Sequence, residues 1–225
     1  GFGELAADAA RQTPPADPTL KAVSKFRLIG TRVARKDTAM KVDGSAQYAA
    51  DLTLPGMVYA AVRVSPVAGG RVVRLGDTRA RGASGVLDVV RLEGGVAVVA
   101  KGWWQAQTAL GLLELDFDGG AIAASTDSID AALHSGVSED GRVVREVGDV
   151  EAALHGSARV LEREYKVPYL AHATMEPMSC VASVEGDRCT VWAPTQGPTV
   201  AHAAAAKAAG VPPENVQVHR MFIGG

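Results

Sequence analysis

Aromatic residues are scarce: Phe, Trp and Tyr make up 5% of the 225 residues. A core built here cannot rest on large rings, so packing has to come from the plentiful Ala, Val and Gly. Cysteine is almost missing. Cys180 and Cys189 are the two present, too few for a disulfide framework or, on their own, a zinc site. They read as two structural thiols, with a bridge across a hairpin as the alternative. An excess of one charge is also lacking, because 23 Lys and Arg stand against 25 Asp and Glu, for a net charge of −2. With no basic cluster either, this argues against nucleic-acid binding. No apolar run is long enough to cross a bilayer as a helix. An initiator Met and a signal peptide are both absent from the start at Gly1-Phe2-Gly3-Glu4. The far end, Met221-Phe222-Ile223-Gly224-Gly225, is a strand-like run that stops on a glycine pair. Such a pair usually enters a tight turn that brings main-chain N–H groups against a ligand. The chain is therefore expected to be an internal piece of a longer protein.

What is present is an ordinary globular composition, 47% hydrophobic and 21% charged, enough for one large domain or two small ones. Residues 1–11 read as a helix, with Leu5, Ala6, Ala9 and Ala10 on one face. Pro14, Pro15 and Pro18 then make 12–24 a linker. Phe26 to Val33 reads as a short strand. From Val42 the pattern turns to β: strands at Gly56–Val64, Arg71–Leu75, Val86–Leu92 and Val96–Ala100, with Glu93-Gly94-Gly95 as a hairpin turn. A helix at Trp103–Leu113 and an alternating strand at Leu115–Asp118 follow. Beyond Gly119-Gly120 come a helical segment at Ser128–His134, a loop at Ser135–Gly141 and a short helix through His155 capped by Asp149. Strands are expected at Ala158–Val167, Cys180–Glu185 and Cys189–Trp192, the last two joined at Glu185-Gly186-Asp187. Pro198–Ala209 is a helix of small residues stopped by Gly210, and Val216–Ile223 closes the chain as a strand. The fold class is α+β.

Three segments together resemble one family. They are Lys41-Val42-Asp43-Gly44-Ser45-Ala46-Gln47-Tyr48 with Leu54-Pro55-Gly56-Met57-Val58-Tyr59-Ala60; Val167-Pro168-Tyr169-Leu170-Ala171-His172-Ala173-Thr174-Met175-Glu176-Pro177-Met178; and Trp192-Ala193-Pro194-Thr195-Gln196-Gly197-Pro198 followed by Val218-His219-Arg220 and the terminal run. In order and spacing they are similar to the molybdopterin-binding large subunits of the xanthine dehydrogenase/aldehyde oxidase class. The likeness is greatest to the branch with the isoquinoline 1-oxidoreductase beta subunit and the membrane-bound aldehyde dehydrogenases. The resemblance implies a layout of 1–36 as helix and linker, 37–120 as an a/b hammerhead domain, and 121–225 as the first part of a molybdopterin-binding domain. It further implies a parent that is a molybdenum hydroxylase acting on an aldehyde or N-heterocycle. The implied cofactor is molybdopterin cytosine dinucleotide, and the implied partners are a small [2Fe–2S] subunit and a cytochrome subunit. A periplasmic or membrane-associated location goes with that branch. The family's catalytic glutamate lies further on than this chain reaches, so no catalytic residue and no metal ligand is assigned here. By itself the chain is expected to carry no cofactor, to self-associate, and to act as a non-catalytic scaffold.

Gln196 is the sharpest candidate. In the resembling family a Gln here donates to an oxo group on molybdenum, and an amide suits this because it is a neutral donor and a poor ligand. The competing reading is a cap for the helix at Pro198. Gly224 and Gly225 would, by resemblance, let backbone N–H groups approach the cofactor; the competing reading is a plain turn, distorted where the chain stops. His172 and Glu176 stand four apart, the spacing of a helical metal pair, but Pro168 and Pro177 bracket them and no third ligand is near. Glu176 is left as either buried and ion-paired or shaping a pocket. Trp103-Trp104 reads as packing at a helix start rather than a stacking platform. Asp116 and Asp118 alternate on one strand face and read as an exposed edge. His134, His155, His202 and His219 share no spacing that makes a site; His202 lies on the small-residue helix, which suits close packing against a partner domain. Lys41 to Gly44 reads as a structural turn.

Overall fold

In the computed structural model, which describes residues 1–119 and 124–225, the chain divides into two units. One is 1–51 with 174–225, the other 52–173. The boundary expected at 120–121 lies outside the described residues. The first helix, Phe2–Ala9 (α1), forms as expected but every residue on it is exposed. Phe26–Val33 is not a strand. Gly30 takes a left-handed φ of +83°, and both the amide and the hydroxyl of Thr31 donate to the carbonyl of Leu28. A local turn thus takes hydrogen bonds that a ladder would have needed. The β pattern expected from Val42 starts only at Tyr59: Thr38–Asp43 (α2) is a short helix ended by Gly44 at φ +81°, with Asp43 accepting from the Ser45 amide at 2.9 Å. The structural reading of Lys41 to Gly44 is correct in that sense.

Within 52–173, Tyr59–Val64 (β1), Val72–Gly76 (β2), Thr78–Arg81 (α3), Val86–Leu92 (β3), Gly95–Ala100 (β4), Trp103–Leu110 (α4) and Glu114–Phe117 (β5) follow in order. Strand β4 has no polar residue and sits between β1 and β3, antiparallel to both. Glu93-Gly94 alone joins β3 to β4, since Leu92 pairs Gly95. Helix α4 lays Ala106, Ala109 and Leu110 onto Ala61, Val89, Val96, Val98 and Ala100; alanine on the helix allows this close contact. Strands β2 and β5 pair separately, clasped by Arg74, which reaches Asp116 at 2.5 Å and Glu114 at 3.3 Å. The guanidinium holds the Asp116 carboxyl below its usual range. Asp118 accepts from the Arg71 amide at 2.7 Å. Both aspartates are exposed at an edge strand, as read, and they also fasten the β2–β5 ladder. Trp103 and Trp104 are corrected too: they are 53% and 73% exposed, with rings 6.3 Å apart, and pack little.

Thr126–Val137 (α5) runs beyond the expected Ser128–His134 and takes in the start of the expected loop. Ser125 and Ser128 satisfy each other's amides at 3.1 and 2.9 Å, fixing its start. Asp149 caps Val150–His155 (α6) through the Ala152 amide at 2.9 Å. The strand expected at Ala158–Val167 does not form: the segment is exposed and pairs with no described strand. Apolar and β-branched residues favour an extended chain, but a strand needs a ladder partner. Its side chains reach α5 instead, Lys166 pairing with Asp130 at 2.6 Å and a Glu164 carboxylate oxygen lying 3.3 Å from Nδ1 of His134.

In the other unit Val181–Glu185 (β6) and Arg188–Ala193 (β7) form the expected hairpin around Gly186 at φ +62°. Pro198–Ala209 (α7) starts on proline and stops at Gly210, φ +68°, then Val216–Arg220 (β8) returns parallel to β7. Cys189, Val191, Val216 and Val218 face Ala205, Ala206 and Ala209 of α7. Both cysteines are free, Cys189 buried and Cys180 exposed. Register explains why no bridge crosses the hairpin: Cys189 stands opposite Val184.

Candidate functional site

Parallel strands β7 and β8 put their carboxyl ends at one edge of the sheet. In open α/β sheets that edge is where ligands bind. Met221 extends the ladder by one step, its N–H donating to the Ala193 carbonyl at 3.0 Å. Gln196 leaves the end of β7, and Gly224 and Gly225 leave the end of β8. The βαβ connection thus brings all three sequence candidates to the same edge.

Gln196 occupies the bend before α7. The Thr195 hydroxyl accepts from the Gly197 amide at 3.0 Å and holds that bend. The helix is capped by Gly197 with no side-chain hydrogen bond, so the capping reading of Gln196 fails. Its side chain is exposed and has no hydrogen-bond partner among the described residues. An amide left unengaged beside a strand end is available to a ligand.

Gly224 is tied to Glu176 twice: its N–H donates to Oε2 at 2.7 Å, and its carbonyl accepts from the Glu176 amide at 2.9 Å. A β carbon at 224 would sit 2.6 Å from the Glu176 Cβ and 3.4 Å from Cε1 of Tyr48. At 225 it would meet the Thr174 Cβ at 2.8 Å. Both positions therefore need glycine for space, and Gly224 is fixed rather than distorted. The other carboxylate oxygen of Glu176, Oε1, is buried and has no hydrogen-bond partner among the described residues. Phe222, two residues before Gly224, is anchored by Tyr48, with centroids 6.0 Å apart and rings tilted 50°. Lys41 lies with its Nζ 4.9 Å from the Phe222 centroid. That ammonium also pairs with Asp37 at 2.7 Å. Lys41 and then Arg35 pull the Asp37 carboxyl down to about 2. Trp192 stacks on His219, its register partner, at 5.3 Å and 13°.

The remaining candidates separate from this cluster. The stretch carrying His172 and Glu176 is not helical, and Ala173 has a φ of +46°. A four-residue spacing then gives no shared face, and Glu176 is neither ion-paired nor aligned with His172 as a helical metal pair. Among the described residues no three His, Cys, Asp or Glu side chains gather around a metal-sized space. Sequence reasoning singled out Glu176 and Gly224 but did not join them, since 48 residues separate them and spacing carries no signal at that distance. Tyr48 was part of a quoted segment, yet nothing in it pointed to Phe222.

The family profile described as molybdopterin cofactor-binding domain matches residues 134–225. The chain is 31% identical to isoquinoline 1-oxidoreductase subunit beta of Brevundimonas diminuta, over 92% of this chain and 28% of that protein. It is 26% identical to the aldehyde oxidoreductase molybdenum-binding subunit PaoC of Escherichia coli, over 90% of this chain and 31% of that one. Among solved structures, quinoline 2-oxidoreductase from Pseudomonas putida 86 superposes with a TM-score of 0.62 at 22% identity, covering 87% of this chain and 30% of its own. The chain thus spans under a third of the length of these relatives. It belongs to the molybdopterin-binding large subunits of the xanthine dehydrogenase family. The edge offers such a group an exposed amide at Gln196 and a Gly225 N–H with no acceptor among the described residues, while the side-chain space at Gly224 and Gly225 is taken by Glu176 and Thr174.

Proposed function

We propose that this chain is part of the catalytic subunit of a molybdenum hydroxylase that oxidises an aldehyde or an N-heterocycle, with oxygen drawn from water. The observation that carries this reading is the convergence of Gln196, Gly224 and Gly225 on the carboxyl end of the β7–β8 pair, inside the stretch matched by the molybdopterin cofactor-binding profile. When bound, the molybdenum cofactor would supply the redox chemistry, and the protein would supply orientation and charge complementarity. Gln196 would hold a neutral N–H donor toward the reacting end of that group. The amide cannot titrate, so its contribution would be constant across the working pH range. Gly224 and Gly225 would allow backbone to approach closely, with the Gly225 N–H as the donor still free, since that of Gly224 is spent on Glu176.

In the same reading residues 37–120 are an a/b hammerhead domain and the part from 121 onward begins the cofactor domain. The cofactor form is the cytosine dinucleotide. Electrons leave to a small [2Fe–2S] subunit, and from there to a cytochrome subunit, at a periplasmic or membrane-associated location. The test is to purify the full-length subunit with its iron–sulfur partner, measure molybdenum per chain, and identify the nucleotide released by acid. About one molybdenum and CMP are expected. A subunit that never acquires molybdenum overturns the reading, while AMP, GMP or no nucleotide overturns only the dinucleotide. Turnover of aldehydes against N-heterocycles then decides the substrate class.

A further inference from the structure

Glu176 makes a two-bond clamp on Gly224. Its amide donates to the Gly224 carbonyl at 2.9 Å, and its Oε2 accepts the Gly224 N–H at 2.7 Å. One residue therefore takes both main-chain polar groups of a glycine that lies beyond the last ladder strand. The fit leaves no slack, because even a methyl group at 224 would come within 2.6 Å of the Glu176 Cβ. The carboxylate carries a cost here: Oε1 is buried without a partner among the described residues, and a buried unmade hydrogen bond is expensive. A loop that merely had to turn would not need a carboxylate in that position. Tyr48 lies against the same glycine and also against Phe222, so the clamp is backed from a second direction.

We infer that Glu176 is the positioning residue of the glycine pair: it fixes the Gly224 backbone, and through it the approach of Gly225 to the cofactor. The cofactor half of this statement rests on the function proposed above; the clamp does not. Two variants separate the roles. Glu176→Ala removes the acceptor, and Glu176→Gln keeps an oxygen that can accept the Gly224 N–H while removing the charge.

Amide hydrogen exchange at Gly224 is measured on this chain by NMR, with Val218, inside the β7–β8 ladder, as the control for folding. Exchange at Gly224 is expected to quicken about tenfold or more in Glu176→Ala, to stay within about threefold of the parent in Glu176→Gln, and to leave Val218 unchanged in both. The same substitutions are then made in the full-length subunit, and molybdenum per chain is counted. A fall in Glu176→Ala that Glu176→Gln restores supports the positioning role. Unchanged exchange at Gly224 in Glu176→Ala overturns the clamp. Accelerated exchange with full molybdenum content overturns its link to the cofactor and leaves the proposed function standing. Should Val218 quicken as well, the alanine variant is misfolded; the comparison then passes to Glu176→Gln, whose failure to keep Gly224 protected overturns the clamp.

Discussion

Replacing Gln196 by alanine separates a ligand-facing amide from a structural one. In the folded chain this side chain is exposed and has no partner among the described residues, and the bend it sits in is held by Thr195 and Gly197. The cost of Gln196→Ala to folding should therefore be that of an ordinary surface change, within about 0.5 kcal/mol. Toward a cofactor at the sheet edge the same amide is a preorganised donor. Losing one such donor at a reacting centre costs about 3 kcal/mol of barrier, or roughly a hundredfold in turnover. Retention of a large pterin is spread over many contacts, so molybdenum content should fall little. The assay is turnover per bound molybdenum in the full-length subunit, beside denaturant unfolding of the parent and variant. Equal turnover per molybdenum would refute the reasoning. So would a stability loss well above about 0.5 kcal/mol, since that would make the side chain structural after all.

Gly95→Ala tests the packing of β4: propensity alone favours alanine by roughly 0.5–1 kcal/mol, but the added carbon would lie 2.4 Å from the Arg63 carbonyl and 3.0 Å from the Val64 Cα. Those are backbone atoms that cannot rotate away, so a net loss of about 1–2 kcal/mol is expected in urea unfolding, and a neutral or stabilised variant would contradict the geometry. Asp37, lowered from the ordinary 3.8 to about 2 by Lys41 and Arg35, stays ionised in the folded chain where the unfolded chain takes up a proton. Its contribution is present above about pH 4 and disappears as pH falls towards 2; a carboxyl NMR titration with a midpoint near the ordinary value, or an unchanged acid limb in Asp37→Asn, would count against the pairing. Thiol labelling should modify Cys180 rapidly in the native chain and Cys189 only on unfolding, because one is exposed and the other buried; two equally fast thiols would contradict the sheet register. With Val200, Ile223 and Trp104 exposed at 74%, 42% and 73%, the chain alone is expected to associate in sedimentation at high concentration, and a strict monomer would refute that.

The strands that could be read in the sequence are those whose apolar runs also find a ladder. β3 and α7 fall where the residues put them because Val86–Leu92 ends at a glycine turn and Pro198–Ala209 has proline at one end and glycine at the other. The misread strands at 26–33 and 158–167 carry apolar and β-branched residues but find no partner, and pairing between distant segments is invisible to local pattern. Helix α3 was overlooked because four residues give no period to see. In the candidate site, the quoted motifs singled out Gln196 and the glycine pair. The Glu176–Gly224 clamp and the Tyr48–Phe222 contact were not, since each joins segments far apart in the chain.

The unit that carries the sheet edge is discontinuous, with residues 1–51 and 174–225 meeting only after 52–173 has been made. On a ribosome the continuous stretch can complete its own strands early, while Lys41 and Tyr48 wait for Phe222. Joining the two halves late carries the loop-closure cost of everything between them, which grows only slowly with length. The glycine pair thus finds its place only after residues 52–173 have been made. A chain stalled or cleaved before residue 222 would hold a finished β1–β4–β3 sheet and an N-terminal segment with no docking partner. Pulse-labelled nascent chains of increasing length should show protection of β4 well before that of Tyr48.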